Sequence, residues 1–226
     1  MQCELDFRLG QAGRGRARLG EAWVVIHNQS KHEARVLMNI IKLKLTGTRP
    51  LLMHADIFAD PLNPLTKAHK SLTGKRKKTD EDHELIARSE WRGGLYYDDE
   101  IGPYMPGINI ESSLVAGGKL SKLGTQMKRS IEIVDERCRL EYEGPRTVEG
   151  LWDKGFYDAR SVKVSSARIM RYRPMFKKWH LLCSVAFDKE SIDHGQIVKS
   201  FNDAGMYCGL GDYRPKFGRF AVEVIK

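Results

Sequence analysis

The chain has 226 residues, of which 41% are hydrophobic and 30% charged, and this composition is typical of a globular protein and excludes a disordered one. Lysine and arginine number 38 against 29 aspartate and glutamate residues, so the formal net charge is +9 at pH 7. Such an excess favours a polyanionic partner, most often nucleic acid. The apolar runs are too short to span a membrane, and the N-terminus lacks a secretory signal pattern, so we expect a cytoplasmic protein without a membrane partner.

Four cysteines are scattered along the chain and form no C-x-x-C pair: Cys3, Cys138, Cys183 and Cys208. A disulfide framework or a zinc knuckle would need clustered cysteines. We therefore predict reduced, mostly buried thiols, and we predict neither a metal nor a cofactor.

The first 37 residues differ from the rest of the chain. The stretch 10–20 reads GQAGRGRARLG, which is rich in glycine and arginine and poor in apolar residues. Such a segment cannot bury a core face, so we interpret 1–37 as a flexible tail that is not native to the domain. The alternative is an RNA-binding arm of the arginine–glycine type. Residues 38–226 are expected to form one domain.

Apolar and basic residues alternate from Ile40 to Thr46, and this pattern predicts a half-buried strand with Lys42 and Lys44 on one face. The run Lys67–Lys78 has no apolar periodicity, so we predict a mobile basic loop. Candidate nucleic-acid contacts in these two segments are Lys42, Lys75, Arg76, Lys77 and Lys78. A helix capped by Thr79 or Asp80 is expected to follow.

Later elements are predicted from periodicity and breakers. They are a helix at about 109–123, one long strand or a hairpin at 130–143, strands at 158–165, 168–172 and 179–187, a helix at 189–204 ended by Gly205, and a last strand at 219–225. With the first strand they indicate an α+β fold with a ferredoxin-like (RRM-like) core. Long insertions are expected at 66–100, which is basic, and at 144–180.

The loop Gly209–Phe220 combines glycines, cations and aromatic rings. Glycines permit close approach of a polyanion to main-chain N–H groups, cations donate to phosphates, and rings stack on bases. The candidates are Gly209, Gly211, Tyr213, Arg214, Lys216 and Arg219. The loop follows a helix and carries arginine at position 214, so the dinucleotide-binding interpretation fails. A packed turn between helix and strand remains the alternative.

Two further patterns suggest contacts with nucleic acid. Gly107 stands just before a helix start, where free N–H groups bind phosphate, and Ser112, Ser113 and Lys119 follow it. Plain helix capping is the alternative here. Arg171 and Arg173 share one face of a predicted cationic hairpin that also carries aromatic residues, and a solvated hairpin face is the alternative.

The segment 104–107, YMPG, followed by a serine-containing helix, resembles an element of the RAMP superfamily of CRISPR proteins. The segments 209–215, GLGDYRP, and 217–220, FGRF, resemble the C-terminal glycine-rich signature of the same superfamily. The most similar type is the backbone subunit that polymerises along guide RNA. The helix differs from the superfamily pattern at two places. Val115-Ala116 stands where the superfamily often has Lys-Gly, and Glu111 adds an acidic residue.

The resemblance implies an RRM-like fold, a basic insertion and sequence-independent binding of single-stranded RNA through its backbone. It also implies self-association into a filament or a multisubunit ribonucleoprotein. The positions matching the motifs are Ser112, Ser113, Lys119 and the loop 209–219. A phage-type or standalone relative that binds single-stranded DNA or RNA is an equal alternative.

Whether the chain is an enzyme stays open. Some RAMP-type subunits use an acidic residue in the loop after the first strand, and that region here offers His54, Asp56 and Asp60. A metal-dependent endoribonuclease centred on Asp56 or Asp60 is therefore an alternative, although most aspartates in such loops form turns. No serine–histidine–aspartate order or H-E-x-x-H motif is present. A third alternative is a factor that only docks on a protein complex.

Overall fold

The structure is a computed structural model that describes residues 38–225. The expectations for 1–37, a flexible tail or an arginine–glycine arm, fall outside these residues. The elements in chain order are β1 (Asn39–Gly47), β2 (Leu51–Leu52), α1 (Pro64–Thr73), α2 (Asp80–Gly93), β3 (Tyr97–Asp98), β4 (Gly102–Pro106), α3 (Gly107–Leu120), α4 (Gly124–Ser130), β5 (Ile131–Ile133), β6 (Arg137–Glu141), α5 (Val148–Asp153), β7 (Tyr157–Val164), β8 (Ala167–Phe176), β9 (His180–Phe187), α6 (His194–Asp203) and β10 (Phe220–Ile225).

The main sheet is antiparallel, with β1 between β10 and β9. On its other side β9 pairs with both β5 and β6, and β4 and β3 extend the sheet beyond β6. Taken in chain order, β1, α3, β5/β6, β9, α6 and β10 form the βαββαβ pattern, and the strands lie in the order 4-1-3-2. The predicted α+β, ferredoxin-like core is therefore confirmed.

Alternation in β1 explains how the sheet acquires one buried face. Leu43 and Leu45 are fully buried, whereas Lys42 is exposed on the opposite face. From the helical side, Leu114 of α3 and Phe201 of α6 join the same apolar cluster. Full burial of each such leucine or phenylalanine contributes about 1.5–3 kcal/mol relative to exposure. This packing fixes α3 and α6 on one side of the sheet.

A second, three-stranded antiparallel sheet has the order β2-β8-β7. Its two long strands, β7 and β8, form a hairpin whose tip residues, 165–168, are all exposed. The base of the hairpin is held by α2, because Glu90 accepts hydrogen bonds from Arg171 and from the Tyr172 backbone N–H. The second sheet also contributes Leu51 and Phe176 to the hydrophobic core, while the tip of its hairpin projects into solvent.

The expected mobile loop over 67–78 is wrong in its first half. Residues Pro64–Thr73 form α1, with Pro64 in its first turn and an Asn63 side chain that accepts from the Leu65 N–H at 2.9 Å. Pro at the first helical position and Asn at the N-cap are strong start signals. The helix packs on α2, where His69 lies 3.1 Å from the Ser89 hydroxyl.

Helix boundaries near the C-terminus also differ from expectation. α6 begins at His194 and not near Lys189, because Asp193 and Gln196 form a capping box. Gly205 does not end the helical segment, which continues as a π-helical turn, Ala204–Cys208. A Cβ on Gly205 would lie 2.1 Å from the Phe220 carbonyl oxygen, so this glycine permits close packing of the last strand.

Two further differences concern α3 and the strand after it. α3 ends at Leu120, and a short helix, α4, follows it. The strand predicted at 130–143 is two strands, β5 and β6, which both pair with β9 and do not form a hairpin with each other. Between them the Asp135 carboxylate accepts the Ser184 N–H at 2.6 Å, which interrupts the ladder. None of the helices within 38–225 is long and apolar enough to cross a membrane.

Candidate nucleic-acid interface

A groove runs between α3 and the glycine-rich loop that connects α6 to β10. It consists of two adjoining depressions of about 540 and 240 Å³ that share Gly211, Asp212 and Arg214. The larger depression is also lined by Ala116, Tyr207, Cys208, Tyr213 and Pro215, and the smaller by His54, Tyr96, Asn109 and Ser112. Four segments that are distant in sequence therefore meet along one surface.

α3 forms one wall of this groove. Ser112 is exposed, and its hydroxyl donates to the Ile108 carbonyl oxygen at 2.8 Å, which leaves its lone pairs toward solvent. Lys119 is exposed one turn beyond Ala116. Residues three and four positions apart share a helix face. A ligand that follows this wall in the N-to-C direction of α3 would therefore meet the Ser112 hydroxyl before the Lys119 ammonium group.

Ser113 has a different role from the one expected of it. It is fully buried, and its hydroxyl donates a 2.9 Å hydrogen bond to the Gly209 carbonyl oxygen. The Ser113 side chain is therefore not exposed for the direct phosphate contact that was predicted. The residue ties the loop to α3 instead.

The loop glycines pack against the protein's own backbone. Gly209 and Gly211 have φ values of +77° and +79°, and a Cβ on Gly211 would lie 2.3 Å from the Leu52 carbonyl oxygen. The Gly209 N–H donates to the Ala204 carbonyl oxygen at 2.7 Å, so it is not free for a polyanion. These glycines shape the groove wall, whereas the predicted main-chain cradle for phosphate is not formed by Gly209.

The other predicted loop residues divide into two kinds. Tyr213, Arg214 and Lys216 are exposed, and both Tyr213 and Arg214 line the groove. Arg219 is half-buried, and its Nε donates to the Pro215 carbonyl oxygen at 3.0 Å. Arg214 and Lys216 thus offer free cationic groups, while Arg219 closes the loop on itself.

A cation–π cluster attaches the hairpin to the loop. The Arg160 guanidinium carbon on β7 lies 4.7 Å from the centre of the Phe217 ring and 5.3 Å from that of Tyr213. The Asp158 carboxylate accepts two hydrogen bonds from Arg160, and these, with the neighbouring Tyr213, raise the pKa of the guanidinium. Part of each ring therefore packs on Arg160, and Tyr213 remains 42% exposed on the groove side.

Ion pairs neutralise both arginines of the predicted cationic hairpin face. Arg171 pairs with Glu90 of α2, and Arg173 Nε lies 2.6 Å from Asp212 Oδ2. Arg173 Nε and Asp212 Oδ2 are both buried, and neither atom has a hydrogen-bond partner. Their contact is therefore an ion pair without hydrogen-bond geometry. Arg173 is 15% exposed and lies behind the groove wall, so it positions Asp212.

The remaining predicted cations lie away from the groove. Lys42 is on the open face of the main sheet, opposite the face covered by α3 and α6. The Lys75–Lys78 segment connects α1 to α2, where Lys75 pairs with Asp82 at 2.5 Å and Lys78 donates to the Lys75 carbonyl oxygen. Arg76 and Lys77 are exposed. The structure does not unite these residues with the glycine-rich loop.

The acid at position 111 stands clear of the groove. Glu111 lies on another side of α3, beside Glu132 and Lys128. Its partial burial, and to a lesser extent the negative charge of Glu132, raises the pKa of its carboxyl group. It is not among the groove-lining residues. A polyanion in the groove would therefore not meet this carboxylate.

The acidic candidates after the first strand occupy an exposed segment. The Asp60 carboxylate accepts a hydrogen bond from the Leu62 N–H at 2.8 Å, as the side chains of aspartates in turns commonly do. Asp56 is exposed and precedes a 3₁₀ turn, Ile57–Ala59, without capping it. Within 38–225 no three histidine, cysteine, aspartate or glutamate side chains come together as potential metal ligands.

Several groove residues carry no sequence signal. Tyr207 is 56% exposed, and Tyr96 and Asn109 line the smaller depression. Each of these residues stands in an ordinary local pattern, and only the tertiary fold brings it to the groove.

No protein-family model matches the sequence, and no curated protein matches it. Among solved structures, one chain of the Type III-B Cmr-beta bound to cognate target RNA, determined by cryo-EM, is similar in structure. The identity is 11% and the TM-score 0.43, and the match covers 83% of this chain and 61% of that chain. The likeness is distant.

Proposed function

We propose that the chain binds single-stranded nucleic acid, RNA foremost, along the groove between α3 and the glycine-rich loop. The observation that carries this proposal is the pairing, in one groove, of the free guanidinium of Arg214 with the exposed rings of Tyr207 and Tyr213. Cations that follow a backbone and rings that stack on bases are the two components of sequence-tolerant single-strand binding.

The arrangement favours an unpaired strand over a duplex. Aromatic side chains reach the faces of bases only where the bases are unstacked. Arg214, Lys216 and Lys119 supply phosphate contacts at the loop and at the far end of α3, and no ion pair occupies these three cations in the described part of the chain. The overall charge of +9 strengthens the long-range attraction.

The motif resemblance to the RAMP superfamily supports one refinement of the proposal. In that refinement the chain is a subunit of a CRISPR-type ribonucleoprotein or filament, and RNA is its ligand. Size-exclusion chromatography of the purified protein, followed by sizing of any co-purifying nucleic acid, tests this refinement. A monomer free of nucleic acid would contradict it while leaving the groove proposal intact.

The direct test is fluorescence anisotropy with a labelled single-stranded RNA over a range of salt concentrations. Log affinity should fall with log salt by about 0.7 per phosphate contacted. Arg214→Ala should weaken binding about tenfold and lower the salt slope by about one contact. Tyr207→Ala should weaken binding with the slope unchanged, because it removes stacking only.

The matched control is Arg88→Ala, which removes the same charge from an exposed position on α2. It should leave affinity nearly unchanged. Undetectable binding of RNA at low salt would refute the proposal. An equal loss in Arg88→Ala and Arg214→Ala would refute the groove as the site.

The alternatives have less support from the geometry. The ribonuclease alternative requires divalent-dependent cleavage that disappears in Asp56→Ala. The alternative of a single-stranded-DNA-binding phage-type protein requires DNA to compete as well as RNA for the groove. The protein-docking alternative predicts weak nucleic-acid binding at every salt concentration.

A further inference from the structure

The smaller depression of the groove differs chemically from the larger one. It encloses about 240 Å³, below the roughly 300 Å³ at which pockets for drug-sized ligands begin. Its lining includes His54, Tyr96, Asn109, Ser112 and Asp212, and Arg214 lines it at the junction with the larger depression. The volume therefore suits a single ring system better than a larger ligand.

The carboxylate makes this depression unsuitable for phosphate. Asp212 lines it, and the buried Arg173 guanidinium on the far side of the loop holds that carboxylate in place. Like charges repel, so the phosphates of a bound strand are expected on the side of Arg214, at the junction of the two depressions, and toward Lys216. A carboxylate accepts hydrogen bonds only, so the group that fits beside it is a neutral N–H or O–H donor.

A hydrogen-bond network orients a second acceptor. The Asn109 amide nitrogen donates to the Tyr96 phenol oxygen at 3.3 Å, and the Tyr96 hydroxyl donates to the His54 carbonyl oxygen at 3.4 Å. Among residues 38–225 no donor is bonded to the Asn109 amide oxygen. The Tyr96 ring is also packed against Tyr104, with ring centres 5.9 Å apart. The pocket thus combines fixed acceptors with an aromatic wall.

We propose that this depression, here called the base pocket, receives one nucleobase of the bound strand and prefers bases with an exocyclic amino group. The inference rests on the proposed function and adds a base preference at one position of an otherwise sequence-tolerant groove. Adenine, cytosine and guanine each present an amino group that donates to Asp212 or to the Asn109 oxygen. Uracil presents a carbonyl oxygen at the equivalent position, which neither Asp212 nor the Asn109 oxygen can pair, so only its ring N3–H could donate to them.

Cytosine and uracil give the sharpest comparison, because they share ring size and differ in the group at C4 and in the proton on N3. The experiment measures the affinity of the full chain for oligocytidine and oligouridine of equal length at one salt concentration. Oligocytidine should bind at least about fivefold more tightly. Asp212→Asn should reduce or reverse this ratio, because an amide N–H can donate to the uracil O4 atom.

Asp153→Asn is the matched control, since it removes one carboxylate at an exposed position outside the groove and should keep the ratio. If Asp212→Asn fails to fold, as a thermal melt would show, Asn109→Ala should lower the ratio instead. Equal affinities for the two oligonucleotides in the unaltered protein would overturn the base pocket and leave the groove proposal standing. Failure of both to bind would overturn the proposed function as well.

Discussion

The Ser113 hydroxyl donates a 2.9 Å hydrogen bond to the carbonyl oxygen of Gly209, a residue 96 positions later in the chain. Both groups are buried, and the bond joins the middle of α3 to the first residue of the glycine-rich loop. This contact links the two walls of the groove, together with the packing of Gly117 on Ala204.

Ser113→Ala should lower the free energy of unfolding by about 1–3 kcal/mol, because it leaves the Gly209 carbonyl oxygen buried without a donor. Urea denaturation followed by circular dichroism measures the loss. Ser112→Ala, one position earlier on the exposed side of α3, should change stability by less than about 0.5 kcal/mol. Similar losses in the two variants would contradict the structural role of Ser113.

Gly218→Ala should be among the most damaging substitutions in the loop. Its φ is +70°, and a Cβ would lie 1.7 Å from the Leu210 carbonyl oxygen. The strain of a left-handed alanine, about 1–2 kcal/mol, and the cost of overpacking, about 1–3 kcal/mol, should both lower the free energy of unfolding. Gly155→Ala is the matched control, since φ is +74° there and nothing lies within 4 Å. Thermal melts should show a small shift for Gly155→Ala and a much larger one for Gly218→Ala.

Arg160→Ala should release the hairpin from the loop. The substitution removes the cation that stacks on Phe217 and Tyr213, an interaction of about 0.5–2 kcal/mol. Hydrogen exchange over 213–217 should become faster while exchange in β1 stays slow. Arg168→Ala, at the exposed tip of the same hairpin, should leave both rates unchanged. Unchanged exchange in Arg160→Ala would show that the cluster does not hold the loop.

Stability should fall at alkaline pH. Burial, and secondarily the nearby Asp135 charge, raises the pKa of Cys138 from 9.0 to about 12. Between these values the unfolded thiol is ionised and the native thiol is not, so the unfolded state binds fewer protons and the unfolding free energy falls as pH rises. Urea titrations from pH 8 to pH 11 should show this fall. Cys138→Ala should make the unfolding free energy less dependent on pH in this range, even if the substitution also lowers stability at neutral pH. An identical slope would contradict the assignment.

The strands of the core were predictable because burial of one face imposes a period of two. In β1, Ile41, Leu43 and Leu45 are buried and Lys42 is exposed, as the alternation indicates. The last strand, β10, and the capped helix α2 were also predictable from local sequence signals. The ferredoxin-like arrangement followed from the order of these elements, since few topologies bury such a set.

The charges of the candidate site were less predictable. Arg173 appears in the sequence as one more free cation, yet it is only 15% exposed and pairs with Asp212. Lys75 is likewise paired with Asp82. An ion pair between residues far apart in sequence leaves no local trace, so counting cations overestimates the free positive charge. α1 was missed for a related reason, because its mostly polar residues gain stability by packing on α2.

The groove itself combines positions that no local pattern connects. His54, Tyr96, Asn109 and Asp212 come from four separate segments and meet only in the folded chain. Sequence motifs identified α3 and the loop, which are its two walls. They did not identify the end of the groove, where the base pocket lies.

The pairing of β1 with β10 has a consequence for the order in which the protein acquires its function. β1 is the first strand of the described chain and β10 the last, and the groove wall just before β10 hydrogen-bonds back to Pro50 and Leu52. During synthesis, these contacts cannot form until β10 has left the ribosome. A nascent chain is therefore expected to be unable to bind nucleic acid in the groove before β10 has emerged and paired with β1.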